Sequence, residues 1–192
     1  MSGSPERAVI DAAEALRQAT PPVLGVVLGS GLGAFADALT DRTVIAYERI
    51  PHFPRTRVEG HAGNLCFGRV GTVPVACLQG RVHAYEGHSV DGVVFGVGLL
   101  AALGCRGVLL TNAAGGIRAD LRPGDLMLLS DHLNLTGKNP LIGADDEPGP
   151  RFPDMSEAYD PAFSGMALHA AEQHNLDLKR GVYDDVLGPS YQ

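Results

Sequence analysis

Three short apolar runs that each lead into a glycine-containing loop restrict the fold more than any other feature of this 192-residue chain. They are "VLGVVLGSGLG" (residues 23–33), "VPVACLQGRVH" (73–83) and "GVLLTNAAGG" (107–116). The first and third are uninterrupted and read as strands buried on both faces, Val23–Leu28 and the run through core residues Leu109 and Leu110. The second is one arm of a hairpin, Leu65–Val70 and Val73–Leu78, turning at Gly71-Thr72. Helical segments separate them. One starts at Ser4-Pro5 and keeps Val9, Ile10, Ala13 and Leu16 on one face. Another covers 90–103 and is closed by Gly104. A short helix is expected over 33–39 and a longer one over Pro161–His174. Further strands are expected at Thr43–Arg49, in "DLMLLSDHLNL" and at Val182–Leu187, with long loops at 50–63 and 136–158. Buried strands, helices and one hairpin predict a single α/β domain over residues 1–192. Its expected form is a three-layer sandwich, a mixed central β-sheet flanked by helices.

The chemistry is concentrated where those runs end. Gly29, Ser30, Gly31 and Gly33 form a strand-to-helix turn of the kind whose backbone N–H groups hold anions. Gly29, Gly31 and Ala34 also fit the dinucleotide fingerprint, with Glu48 placed for a ribose, although the link to the next strand is short for a parallel crossover. A plain glycine turn without ligand fits as well, whereas the triphosphate loop is excluded because no Gly-Lys-Ser/Thr follows. After the second run, Arg81 and His83 lie two apart, at the end of a strand and on one side of it. The arginine fork matches phosphate oxygens, and histidine adds a donor near neutral pH. Tyr85 and Glu86 follow, within reach of a sugar. After the third run, Asn112, Ala113 and Ala114 let a ligand approach the backbone at a strand's carboxyl end. His61, in "EGHAG", is a further candidate. Glycine amides, a positive fork and a floor of small residues suit a compact dianion better than a dinucleotide.

Charge and spacing exclude several classes. A net charge of −7 argues against non-specific nucleic-acid binding. The longest apolar stretch, Val93–Leu103, is too short to span a bilayer. His83 and His88 lack a cysteine or third histidine nearby, so no metal site is expected. Cys66, Cys77 and Cys105 have no CxxC spacing and read as buried, reduced thiols of a cytoplasmic protein.

With these motifs in view, the chain resembles the trimeric purine nucleoside phosphorylase family. The resemblance rests on "LGSGLG", "EGHAG", "GRVHAYEGH", "TNAAGG", "DLMLLSDHLN", "NPLIG", "RFPDMSEAYD" and "GPSY", in family order from residue 23 to 192. It implies phosphorolysis of a purine nucleoside by orthophosphate, as a co-substrate and with no cofactor, in purine salvage. It implies phosphate held by Ser30, His61, Arg81, His83 and the backbone of Ala113, with Glu86 fixing His83 for catalysis. The nucleoside would meet Tyr85, Asn112, Ala113, Tyr191 and Gln192, and Phe152 would reach a neighbouring active site in a homotrimer. The sequence departs from the family at Glu59, where a proline is usual, and at Gln192, where glutamate is usual. The family's C-terminal part, with a second phosphate-binding serine, an asparagine for the purine and a histidine near the ribose 5′-hydroxyl, is not among the 192 residues. Two alternatives stay open at this point: an inactive phosphate- or nucleoside-binding remnant, and an enzyme like the methylthioadenosine phosphorylases.

Overall fold

The computed structural model describes residues 4–55, 62–142 and 150–188. His61, Glu59, Tyr191 and Gln192 lie outside the described residues. The chain forms two compact units, Met1–Ala113 and Ala114–Gln192.

The first unit is built on the apolar runs. Helix α1 (Pro5–Ala15) starts as expected, with Ser4 Oγ accepting from Arg7 N at 3.3 Å. Strands β1 (Leu24–Leu28), β2 (Thr40–Ala46), β3 (Asn64–Val70), β4 (Val73–Gln79) and β5 (Gly107–Leu110) form one mixed sheet in the order β2-β3-β4-β1-β5. β1 runs parallel to both β4 and β5, while β3 pairs antiparallel with β4 and with β2. Side-chain alternation along β1 buries both faces. Val27 joins Leu65, Leu78, Phe95, Leu99 and Leu100 in a core that includes Ala12 of α1, Leu16 just past its end and the buried face of α3 (Val90–Ala102). Val26 and Leu28 point the other way, into a second core with Cys66, Val75, Cys77 and Ala36 of α2 (Ala34–Asp37). Helices therefore cover both faces of a mixed sheet, the expected three layers.

This topology removes the dinucleotide reading. The chain leaves β1 through only the four residues of α2 and arrives at β2 on the far edge of the sheet, antiparallel to β3. The strand that follows the glycine turn is therefore not the parallel neighbour that a dinucleotide crossover requires. Glu48 sits in a 3₁₀ turn, Tyr47–Arg49, past the end of that edge strand.

Three local expectations are corrected. The strand predicted at 43–49 is Thr40–Ala46. It ends because Tyr47 turns inward, its N–H donating to Gly63 O at 2.8 Å and its hydroxyl to Gly80 O at 2.6 Å. Leu109 and Leu110 are not core: among the described residues β5 pairs with β1 alone and stands at the sheet edge, leaving them 52% and 64% exposed. The last strand starts earlier than residue 182, as β7 (Leu178–Asp185).

The second unit holds β7 and β6 (Leu126–Asn134) as a separate two-stranded parallel sheet, together with α4 (Pro161–Gln173). Asp160 caps α4, its Oδ1 accepting from the N–H groups of Ala162 and Phe163. Asp184 and Asp185, which a central strand could bury only beside a partner, lie exposed at the end of β7. No described helix is long and apolar enough to cross a membrane.

Candidate active site

The carboxyl ends of β1, β4 and β5 meet around Thr111. This residue follows β5, and its side chain bonds across to β1: Oγ1 accepts from Gly29 N at 2.9 Å and donates to Val27 O at 3.0 Å. Its backbone N–H also donates to Val27 O, at 3.0 Å. Its carbonyl accepts from Arg81 Nη1 at 2.7 Å. One residue thereby fixes the start of the glycine turn, the position of the guanidinium and the root of the Asn112–Ala113 segment.

The glycine turn has a specific steric basis at two positions. A Cβ on Gly29 would come within 2.7 Å of both Asn112 Cα and Thr111 O, so only glycine lets β1 close against the end of β5. Gly31 has a φ of +83° with open space around it, a conformation that other L residues avoid. Between them Ser30 is exposed. Gly29, Gly31, Gly33, Ala62, Gln79 and Gly80 border a cleft of about 90 Å³. Typical small-molecule pockets run to roughly 300–1,000 Å³, so this cleft has the size for a small anion and not for a whole nucleoside.

Arg81 and His83 do not sit on the strand. β4 ends at Gln79, and Gly80 (φ +101°) turns the chain before them. Val82 between them is buried, 4% exposed, while Arg81 and His83 are half-buried and His83 is extended. The His83 ring stacks on Tyr85, centroids 4.8 Å apart and planes within 14°. Glu86 Oε1 accepts from His83 N at 2.7 Å, and Glu86 N donates back to His83 O at 3.1 Å. This reciprocal pair sets the path of the histidine backbone. Asn112 Nδ2 donates to Ala113 O at 3.3 Å, and both residues are exposed.

Ser30, Arg81, His83, Tyr85, Glu86, Asn112 and Ala113 therefore all lie on segments leaving the same sheet ends. Phe152 belongs to the second unit, 86% exposed, with the Arg151 guanidinium 5.6 Å from its ring centre. Sequence reasoning missed three supports, Tyr47, Gln79 and Thr111. Gln79 and Thr111 carry the faint signal of a polar residue closing an apolar run. Burial pushes the Cys77 thiol up to about 12 and the Cys105 thiol to about 11. It also raises Cys66, and it holds the Tyr47 hydroxyl far above the usual phenol range, as a neutral donor. Among the described residues no group of three or more His, Cys, Asp or Glu is placed to hold a metal.

The family model described as "Phosphorylase superfamily" matches residues 23–192. Purine nucleoside phosphorylase 1 of Bacillus subtilis is 47% identical over 184 residues, covering 94% of this chain and 68% of that protein. Its counterpart in Geobacillus stearothermophilus is 46% identical over 188 residues, covering 96% and 69%. A crystal structure of a purine nucleoside phosphorylase in complex with ribose-1-phosphate superposes with a TM-score of 0.91 at 37% identity, covering 100% of this chain and 74% of that one. The chain thus spans a little over two thirds of the two bacterial relatives.

Proposed function

The chain belongs to the phosphorylase superfamily, and we propose that it acts there as a purine nucleoside phosphorylase, a pentosyltransferase. A purine ribo- or deoxyribonucleoside and orthophosphate would yield free purine and the sugar 1-phosphate. The observation that carries this reading is the Thr111 junction, which gathers the glycine turn, Arg81 and the Asn112–Ala113 segment beside an anion-sized cleft.

In this reading phosphate is held by Ser30, His61, Arg81, His83 and the Ala113 backbone. The glycosidic C–N bond breaks with its electron pair leaving on the purine, which gains the equivalent of the proton that hydrogenphosphate gives up. Positive charge develops on the ribose, and the bound dianion stabilises it and then forms the new C–O bond. The step parallels glycoside hydrolysis with phosphate as nucleophile. Glu86 holds the His83 backbone, and Tyr85, stacked on His83, offers an aromatic face to the ribose. Asn112, Tyr191 and Gln192 face the nucleoside. Phe152, exposed on its own unit, has the character of a residue that completes a neighbouring site in a homotrimer. The reading needs no metal or organic cofactor and places the enzyme in the cytoplasm; the trimer rests on the resemblance alone, the compartment on the cysteine pattern.

Titration calorimetry tests the anion site. Orthophosphate should bind the wild-type chain, and Arg81→Ala should weaken it about ten- to hundredfold, the equivalent of roughly 1.5–3 kcal/mol for a charge-assisted hydrogen bond. Equal phosphate affinity in the two proteins would remove Arg81 from the pocket.

A further inference from the structure

Gln79 closes β4 and pairs with strands on both sides: its Cα partner is Leu28 at the end of β1 and Asn64 at the start of β3. Its side chain borders the cleft beneath the glycine turn. Nε2 donates to Gly33 O, the last residue of that turn, at 3.1 Å. Oε1 accepts from Asn64 Nδ2 at 3.2 Å and lies 3.9 Å from Cys66 Sγ. Gln79 O accepts from Gly63 N at 3.1 Å. Thr111 fixes the turn where it begins, at Gly29; Gln79 holds it where it ends.

We propose that Gln79 is a positioning residue, whose amide anchors the far end of the glycine turn to β3 and so sets the shape of the anion cleft. An amide suits the place because it offers a donor to the Gly33 carbonyl and an acceptor to the Asn64 amide. An ionised carboxylate of the same length keeps the Asn64 bond, sets two acceptors face to face at Gly33 and brings negative charge to the cleft. A protonated carboxylic acid restores the donor. The inference rests on the phosphate reading above.

Two variants and two readouts separate the possibilities. Gln79→Met keeps the length without the hydrogen bonds. In ligand-free hydrogen exchange, peptides covering 29–36 should exchange about tenfold faster in Gln79→Met, with α1 unchanged. Phosphate binding should weaken about tenfold, with a smaller change for the nucleoside. In Gln79→Glu, the ratio of its phosphate affinity to wild type at each pH should climb toward one as the pH falls and the new carboxyl protonates. Unchanged exchange in Gln79→Met would overturn the anchoring. Faster exchange with wild-type phosphate affinity, or a Gln79→Glu ratio flat with pH, would overturn its link to the anion. A wild-type chain that binds no phosphate would instead sink the phosphate reading, and with it this anion role, while exchange would still decide whether Gln79 holds the turn.

Discussion

At the scale of single residues, the two glycines of the turn make different demands. Gly29 is held by space, because a Cβ there meets the backbone of Thr111 and Asn112, which cannot swing aside as a side chain can. Gly31 is held by conformation alone. Gly31→Ala should cost about 1–2 kcal/mol of backbone strain. Gly29→Ala should cost more, near or beyond the top of the roughly 1–3 kcal/mol typical of overpacking, because it pries β1 from the end of β5. Denaturant midpoints of the two variants check the order, and a larger loss at Gly31 would contradict the account. That the turn is rich in glycine was plain in the sequence; why each glycine is there was not, since Gly29 answers to a residue 82 positions away that shares a hydrogen bond with it.

At the scale of elements, the β3–β4 hairpin was legible because its signals are local: two apolar arms and a turn glycine at φ +59°. The end of β2 was not. "TVIAYER" reads along the chain as one continuing strand, and the distant acceptors on Gly63 and Gly80 draw Tyr47 inward. Leu109 and Leu110 misled for a related reason, since an apolar run looks the same at a sheet's edge as at its centre. The hairpin also carries a pH signature. Cys66 and Cys77 face each other across β3 and β4, both fully buried, and burial raises both thiols. Above an ordinary thiol value near 9 the unfolded chain releases these protons while the folded chain keeps them, up to about 12 for Cys77. The unfolded state is then favoured, so stability is whole below about pH 9 and falls as the pH climbs beyond it. Guanidinium midpoints should drop between about pH 8.5 and 11, and Cys77→Ala should flatten that slope. A wild-type midpoint constant across that range would contradict the burial of the thiols.

At the scale of the whole molecule, the sequence reading anticipated three layers and a mixed sheet, and the first unit has both. The separate β6–β7 sheet was not anticipated, because strand partners are chosen by topology and not by the strand's own residues. Among the described residues of the second unit Ala171 alone is buried, while Ile117, Ile142 and Phe152 are at least three-quarters exposed. The candidate site divides in the same way. The residues proposed to face phosphate were legible because they stand just past apolar runs in the sequence, whereas the Thr111 and Gln79 supports emerge only when strands far apart in sequence lie side by side.

The reaction proposed for the cleft is cleavage of a purine nucleoside by orthophosphate. It is tested most directly by incubating the chain with inosine, with and without orthophosphate, and measuring hypoxanthine and ribose 1-phosphate together. Hypoxanthine should appear only when phosphate is present, matched one for one by ribose 1-phosphate. Hypoxanthine released at the same rate without phosphate, or none at any phosphate concentration, would contradict it.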